Sequence, residues 1–328
     1  MLKQVFQGPS GIRSGWRLLI FIVLTAIPLL LLQVLLAVIG LHPKAGHGLS
    51  VILILVSESV MFVCPLFAAW VMGHLEQKSL RDYGLPARGA FGRNFWLGAA
   101  IGFAALSALL VGIRFGGGFY FGGLALGAGG IFYFGILWAI AFLLVGFAEE
   151  FLFRGYALAT LSDGIGFWPA AIVLSALFGA VHLSNLGENP TGALSAGVVG
   201  LLCCFSFRRS GSLWFAIGLH AAWDYGESFV YSVPDSGTLA QGHLLNSHFQ
   251  AGAPTWLTGG AVGPEGSVFV FVVLVILFVV VDRMYPEVKF PARAARAGRS
   301  PQPETASALG GFEVAPGKEH DGAENRQD

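Results

Sequence analysis

The chain has 328 residues, of which 55% are hydrophobic and only 12% charged, and its mean hydropathy is +0.70. Soluble domains carry about a quarter of their residues charged, so this composition excludes an ordinary soluble protein and points to a polytopic membrane protein. A formal net charge of zero leaves no footprint for nucleic acid. The three cysteines, Cys64, Cys203 and Cys204, lie in apolar runs without the paired spacing of a zinc site or a disulfide framework, and are expected to be packing residues.

In chain order, Lys3, Arg13 and Arg17 precede an apolar run over 18–39 that is too long for a signal-peptide core and lacks a small-residue cleavage site, so it is expected to be a retained first span, kinked at Pro28. A second span is expected over 51–72, with Glu58 inside it, and a polar connection with Lys78, Arg81, Arg88 and Arg93 leads to a third over 95–111. The glycine-rich stretch 116–130 lacks the strand-before, helix-after context of a phosphate cradle and is expected to be a flexible loop. The run 131–161 is helix-compatible almost throughout and exceeds one bilayer crossing, so this fourth helix must tilt, break or project. Further spans are expected over 168–183, 194–207, 213–230 and 268–281. With a cytoplasmic amino terminus, eight spans place every Lys and Arg except Lys44 and Arg114 on the cytoplasmic side or at cytoplasmic helix ends, Arg208 and Arg209 among them as topology anchors. The expected fold class is therefore all-α, with about eight transmembrane helices and both termini cytoplasmic. The helical domain would occupy 1–285 and a disordered tail 286–328.

Ionisable residues inside such spans are costly and by default mark a site. Glu149, Glu150 and Arg154 fall within six residues of each other in the fourth span. Glu150 and Arg154 are four apart, in the favourable order for a helical ion pair, while Glu149 points roughly 100° around the helix and is the freer carboxylate, the better candidate for a general base. His182 lies four residues after Phe178, with Asn185 at helical spacing beyond it, and His220 and Asp224 share a face of the seventh span. The helical rise puts these groups about 12–24 Å from the cytoplasmic side, close enough in depth to converge on one chamber. Glu58 would line that chamber or serve packing, and His243 and His248 are expected to be solvated in a polar loop.

E-E-x-x-x-R at Glu149 to Arg154, F-x-x-x-H at Phe178 to His182 and H-x-x-x-D at His220 to Asp224, in this order on successive apolar segments, resemble the CPBP family of intramembrane proteases (CAAX-protease and bacteriocin-processing, or Abi). The likeness runs from about Gly135 to Ser228 and includes Ser175-Ala176-Leu177-Phe178-Gly179 and Ser210-Gly211-Ser212-Leu213-Trp214, with fainter echoes at Arg13-Ser14-Gly15-Trp16-Arg17 and Tyr83-Gly84-Leu85. It implies an intramembrane endopeptidase acting on a membrane-associated protein or peptide within the lipid bilayer, and the prokaryotic look of the sequence places it in a cytoplasmic membrane. By position, Glu149 and His182 would activate water, His220 with residue 224 would face the oxyanion, and Glu150 with Arg154 would orient the site. Eukaryotic prenyl-protein endopeptidases of the family carry Asn where this chain has Asp224; an ionised aspartate would repel an oxyanion, so Asp224 is protonated, orients His220 or ligates a metal. Glu149, Glu150, His182, His220 and Asp224 offer donors for a divalent ion such as zinc, but H-E-x-x-H is absent, and the expectation leans to a metal-independent glutamate protease. Two other readings stand beside it: a non-catalytic membrane scaffold or immunity factor, and a proton-coupled transporter, which the lack of an internal repeat disfavours.

Overall fold

The computed structural model describes residues 6–8, 11–39, 51–185 and 187–291. One unit, Met1–Ala292, holds all of the elements below; the other, Arg293–Asp328, lies outside the described residues, as do Lys44 and most of the expected tail.

Two short strands, β1 (Gln7–Gly8) and β2 (Gly11–Ile12), pair antiparallel before helix α1 (Ser14–Val38). Next come α2 (Val51–Glu76), α3 (Arg93–Phe115), strand β3 (Phe119–Tyr120), α4 (Ala128–Arg154), α5 (Tyr156–Ile165), α6 (Phe167–His182), α7 (Pro190–Ser210) and α8 (Trp214–Tyr225). A π-turn (Gly226–Val230), strand β4 (His248–Phe249), a one-turn helix α9 (Thr255–Thr258) and α10 (Phe269–Met284) complete the order. The chain is mostly helical, as expected. Among the described residues, five helices are long and apolar enough to cross a membrane: α1, α2, α3, the stretch Ala128–Ile165 and α7. The other three expected spans form α6, α8 and α10, of 16, 12 and 16 residues. At 1.5 Å per residue these reach only about 24, 18 and 24 Å, so length and composition support five crossings where the sequence suggested eight.

Helix α8 is buried on all sides from Trp214 to Leu219 and packs against α3 and α4, as an all-apolar helix must. Close approach is set by glycine. A Cβ on Gly98 would fall on the Phe215 carbonyl, one on Gly102 on the Leu219 carbonyl, and one on Gly218 on the Phe95 carbonyl. Gly98 and Gly102 thus form a small-x-x-x-small stripe that lets the backbones of α3 and α8 touch. Gly98→Val should therefore destabilise the protein by about 1–3 kcal/mol or more, measured as a lower unfolding temperature in detergent, whereas the same change at half-buried Gly112, where a Cβ meets nothing within 4 Å, should be nearly silent. Helices α6 and α7 approach by the same device at Gly179, whose Cβ would meet the Ala193 carbonyl. The outer faces are apolar and exposed, as at Leu30, Leu31, Val34 and Leu35 on α1 and Ile172 and Val173 on α6, which suits contact with lipid.

The long fourth segment breaks. Gly155 leaves helical geometry at φ −81° and ψ −114° and separates α4 from α5, while α1 runs on through Pro28. At this end Arg17 donates to Glu76 at 2.9 Å and Asp163 at 2.8 Å, Tyr156 donates to Glu76, and Lys78 lies 3.4 Å from both carboxylates. This knot ties α1, α2 and α5 together.

The glycine-rich stretch differs from the expected flexible loop. Residues 119–120 pair antiparallel with 248–249, Ala125 N–H donates to the Leu244 carbonyl at 2.8 Å, and α4 begins at Ala128. His248, expected in a loop, is exposed but sits in β4 opposite Tyr120. Residues 286–291 also depart from the expected tail: Lys289 and Phe290 donate to the Arg208 carbonyl, and Phe290 stacks on Phe207. Cys64, Cys203 and Cys204 are free and buried.

Candidate active site

Helix α4 delivers Glu149, Glu150 and Arg154, α6 delivers Phe178 and His182, and α8 delivers His220 and Asp224. Glu150 and Arg154 are both fully buried, and Arg154 Nη1 donates to Glu150 Oε1 at 3.3 Å, the i,i+4 pair the spacing anticipated. Its guanidinium lies 4.1 Å from the centre of the Phe178 ring, and Gly200 on α7 leaves the room it needs, since a Cβ there would strike Nη2. The pair lies beneath the site, away from solvent.

The same Glu150 oxygen accepts from His220 Nδ1–H at 2.9 Å. That contact fixes which nitrogen of His220 is left for chemistry. Nε2 then faces two further carboxylates, Asp224 Oδ2 at 3.4 Å and Glu149 Oε2 at 3.7 Å. Glu149 differs from Glu150 in exposure: 29% of its side chain is accessible, against none for its neighbour. Phe178 is an organising residue that the F-x-x-x-H spacing hints at without explaining. Its carbonyl accepts from His182 Nδ1–H at 2.8 Å, its ring lies 4.6 Å from the His182 ring, and its face holds Arg154.

These groups meet in a cavity of about 310 Å³ lined by Glu149, His182, His220 and Asp224, with Glu58 from α2 on the opposite wall and Asn185 beyond His182. Ile54, Phe142, Val145, Leu274 and Leu277 supply apolar wall. Of the two possibilities for Glu58, lining the cavity is the one observed. The sequence placed Glu149 with His182, but the imidazole within 4 Å of Glu149 is that of His220; His182 shares the cavity without a direct contact. The expected metal donors do not gather either. Among the described residues, the carboxylate or imidazole atoms that converge to within 4.8 Å in a group of three are those of Asp224, Glu227 and Asp235, so Glu149, His182 and His220 are not part of such a group.

Asp235 and Glu265 also line the cavity, from loops that the spacing arguments did not reach. Burial, followed by the nearby Asp224 and Glu265 carboxylates, holds Asp235 well above the usual carboxylate range. No lysine or arginine is among the lining residues. The only sequence signal for Asp235 and Glu265 is acidity within a Pro- and Gly-rich connection, which is common in solvated loops.

No curated protein and no solved structure matches the chain. Residues 131–226, however, match the family model described as type II CAAX prenyl endopeptidase Rce1-like. The match begins in α4, ends at the first residue of the π-turn, and so spans Glu149, Glu150, Arg154, His182, His220 and Asp224. Because it covers the helices that carry the candidate catalytic residues, it supports placing this chain in the CPBP/CAAX protease family.

Proposed function

We propose that the protein is an intramembrane endopeptidase that hydrolyses a peptide bond of a membrane-associated protein or peptide, with Glu149 as the base that activates water. The observation that carries this is the contrast between adjacent carboxylates: Glu150 is sealed and neutralised, while Glu149 is partly open to a cavity shared with two histidines. A carboxylate free of a permanent cation can take a proton from water, and the resulting hydroxide attacks the scissile carbonyl. The oxyanion forms on the face presented by His182 and His220, and the proton held by Glu149 passes to the departing amine, which breaks the C–N bond. Glu150 and Arg154 position His220 rather than react. Asp224, at 3.4 Å from His220 Nε2, orients that ring and leaves oxyanion binding to the imidazoles. A metal-independent mechanism needs no further component.

The cavity, at about 310 Å³, is at the small end of the 300–1,000 Å³ typical of ligand sites. It would take a short extended segment rather than a folded one. In this reading both termini face the cytoplasm, and α6, α8 and α10 complete an eight-segment bundle in a prokaryotic cytoplasmic membrane. The test is cleavage of a quenched peptide library, with a farnesylated CAAX peptide included, by the purified protein and by His182→Ala, with and without chelator. Cleavage by the wild type that falls at least tenfold in His182→Ala supports the reading, and survival in chelator supports the metal-independent form. Equal background rates in both proteins, with no effect of the substitution in cells, would overturn it in favour of a scaffold.

A further inference from the structure

At the last residue of the family match, the helical ladder of α8 widens into the π-turn Gly226–Val230. Single π-turns of this kind recur at functional sites. Tyr231 N–H donates to the Gly226 carbonyl at 2.8 Å and Val233 N–H to the Glu227 carbonyl at 3.0 Å, which fastens the following loop back onto the turn. Glu227 is fully buried, and neither of its carboxylate oxygens has a hydrogen-bond partner. Asp224, three residues earlier, and Asp235, from the loop, each bring an oxygen into the same space, so that all three ligand atoms lie within 4.8 Å of one another.

The neighbours do not balance this charge. Asp235 accepts from Ser228 Oγ at 3.2 Å, Glu265 accepts from Ser236 Oγ at 2.9 Å, and the Trp223 indole N–H lies beside Glu227. Glu265 adds a fourth carboxylate to the lining, and His220, 3.4 Å from Asp224, is a neighbour able to carry positive charge. Buried carboxylates this close must either hold protons or take a counter-charge, and a bound cation supplies the second.

We propose that Asp224, Glu227 and Asp235 bind a hard divalent cation of calcium's size. All three donors are oxygen, which selects calcium, magnesium or manganese over zinc. Calcium accepts irregular oxygen shells at about 2.3–2.6 Å, which suits donors drawn from a helix end, a π-turn and a loop, whereas magnesium demands a near-octahedral shell at about 2.0–2.1 Å. Asp224 and Asp235 line the cavity, so the ion and its waters have a route in. Bound there, the ion would pin the loop 231–238 over the cavity and hold Asp224 against His220. The site shares Asp224 with the cleavage reading but is tested apart from it, because Glu227 and Asp235 lie outside the matched segment and binding is measured without substrate.

The experiment is titration of the full-length protein in detergent with Tb³⁺, a luminescent substitute for calcium, and with Ca²⁺, Mg²⁺ and Mn²⁺ by calorimetry. Wild type should take up one Tb³⁺ per chain with emission excited through tryptophan and displaced by Ca²⁺. Trp223→Phe should lose much of that emission while calorimetric binding persists. Glu227→Gln and Asp235→Asn should each weaken binding by about 10–100-fold or more, since loss of a direct ligand exceeds the usual effect of losing a supporting residue. The unfolding temperature of the wild type should rise with Ca²⁺, and that of the two variants should not. Absence of saturable binding, or undiminished binding in both variants, would overturn the site; if the variants fail to fold, an unfolding temperature of the wild type indifferent to all three ions would do the same.

Discussion

Glu149→Gln is expected to cut cleavage by about 10²–10⁴-fold, the usual contribution of a positioned general base, with most of the loss in kcat. The substitution keeps the shape and hydrogen-bonding reach of the side chain but removes its ability to hold a proton taken from water. Glu149 is partly exposed and its closest ionic neighbour is His220 Nε2 at 3.7 Å, so little packing depends on it and the unfolding temperature should change by no more than a few degrees. Steady-state kinetics on the best substrate of the peptide library, run beside thermal unfolding, separates the two effects. A Gln variant that turns over at the wild-type rate would remove Glu149 from the mechanism. The neighbouring Glu150→Gln is the contrast: it disturbs both Arg154 and His220, so stability and activity should fall together.

Arg154→Met should cost about 3–5 kcal/mol of stability, because it leaves a fully buried carboxylate without its cation. The methionine fills much of the space beneath Phe178, so the loss reports charge rather than a hole. Two further variants sharpen the result. Arg154→Met combined with Glu150→Gln should recover most of the stability, since it removes the stranded charge along with its partner. Arg154→Lys should recover only part, because an ammonium cannot lie flat against the Phe178 ring as the guanidinium does at 4.1 Å. Denaturation of the four proteins in a common detergent measures the series; equal losses in the single and double variants would show that packing, not charge pairing, dominates.

Local spacing made much of this legible in the sequence. The i,i+4 relation of Glu150 to Arg154 and of His220 to Asp224 follows from helical geometry alone, and both pairs form. The length of the fourth segment left a tilt, a break or a projection open, and the structure shows the break, at Gly155. What spacing cannot say is which helices face one another: the partnership of Glu149 with His220 rather than His182 depends on how closely α8 approaches α4. That approach rests partly on Gly146, whose Cβ would lie 3.1 Å from the Ile217 carbonyl. The Gly98-x-x-x-Gly102 stripe was visible, but it acquires meaning only beside Gly218. Glu227 lay inside the expected span 213–230, three residues after Asp224, where the cost of a charge was a signal the spacing motifs passed over, whereas Asp235 belongs to a loop with no period at all. The pairing of 119–120 with 248–249 joins segments far apart in sequence, each too short to show alternation.

The break at Gly155 also has an electrostatic effect. A helix carries a partial negative charge of roughly half an electron at its carboxyl end, spread over the last carbonyls, and a cation placed in the last turn gains from it. Because α4 stops at Arg154, that negative pole lies at the arginine itself, whose Nε and Nη2 have no side-chain or backbone acceptor. If α4 and α5 formed one continuous helix, the pole would move eleven residues on, to Ile165, and Arg154 would be left with Glu150 and the Phe178 ring to offset its burial. Gly155 therefore sets the local potential beneath the cavity by deciding where a helix ends.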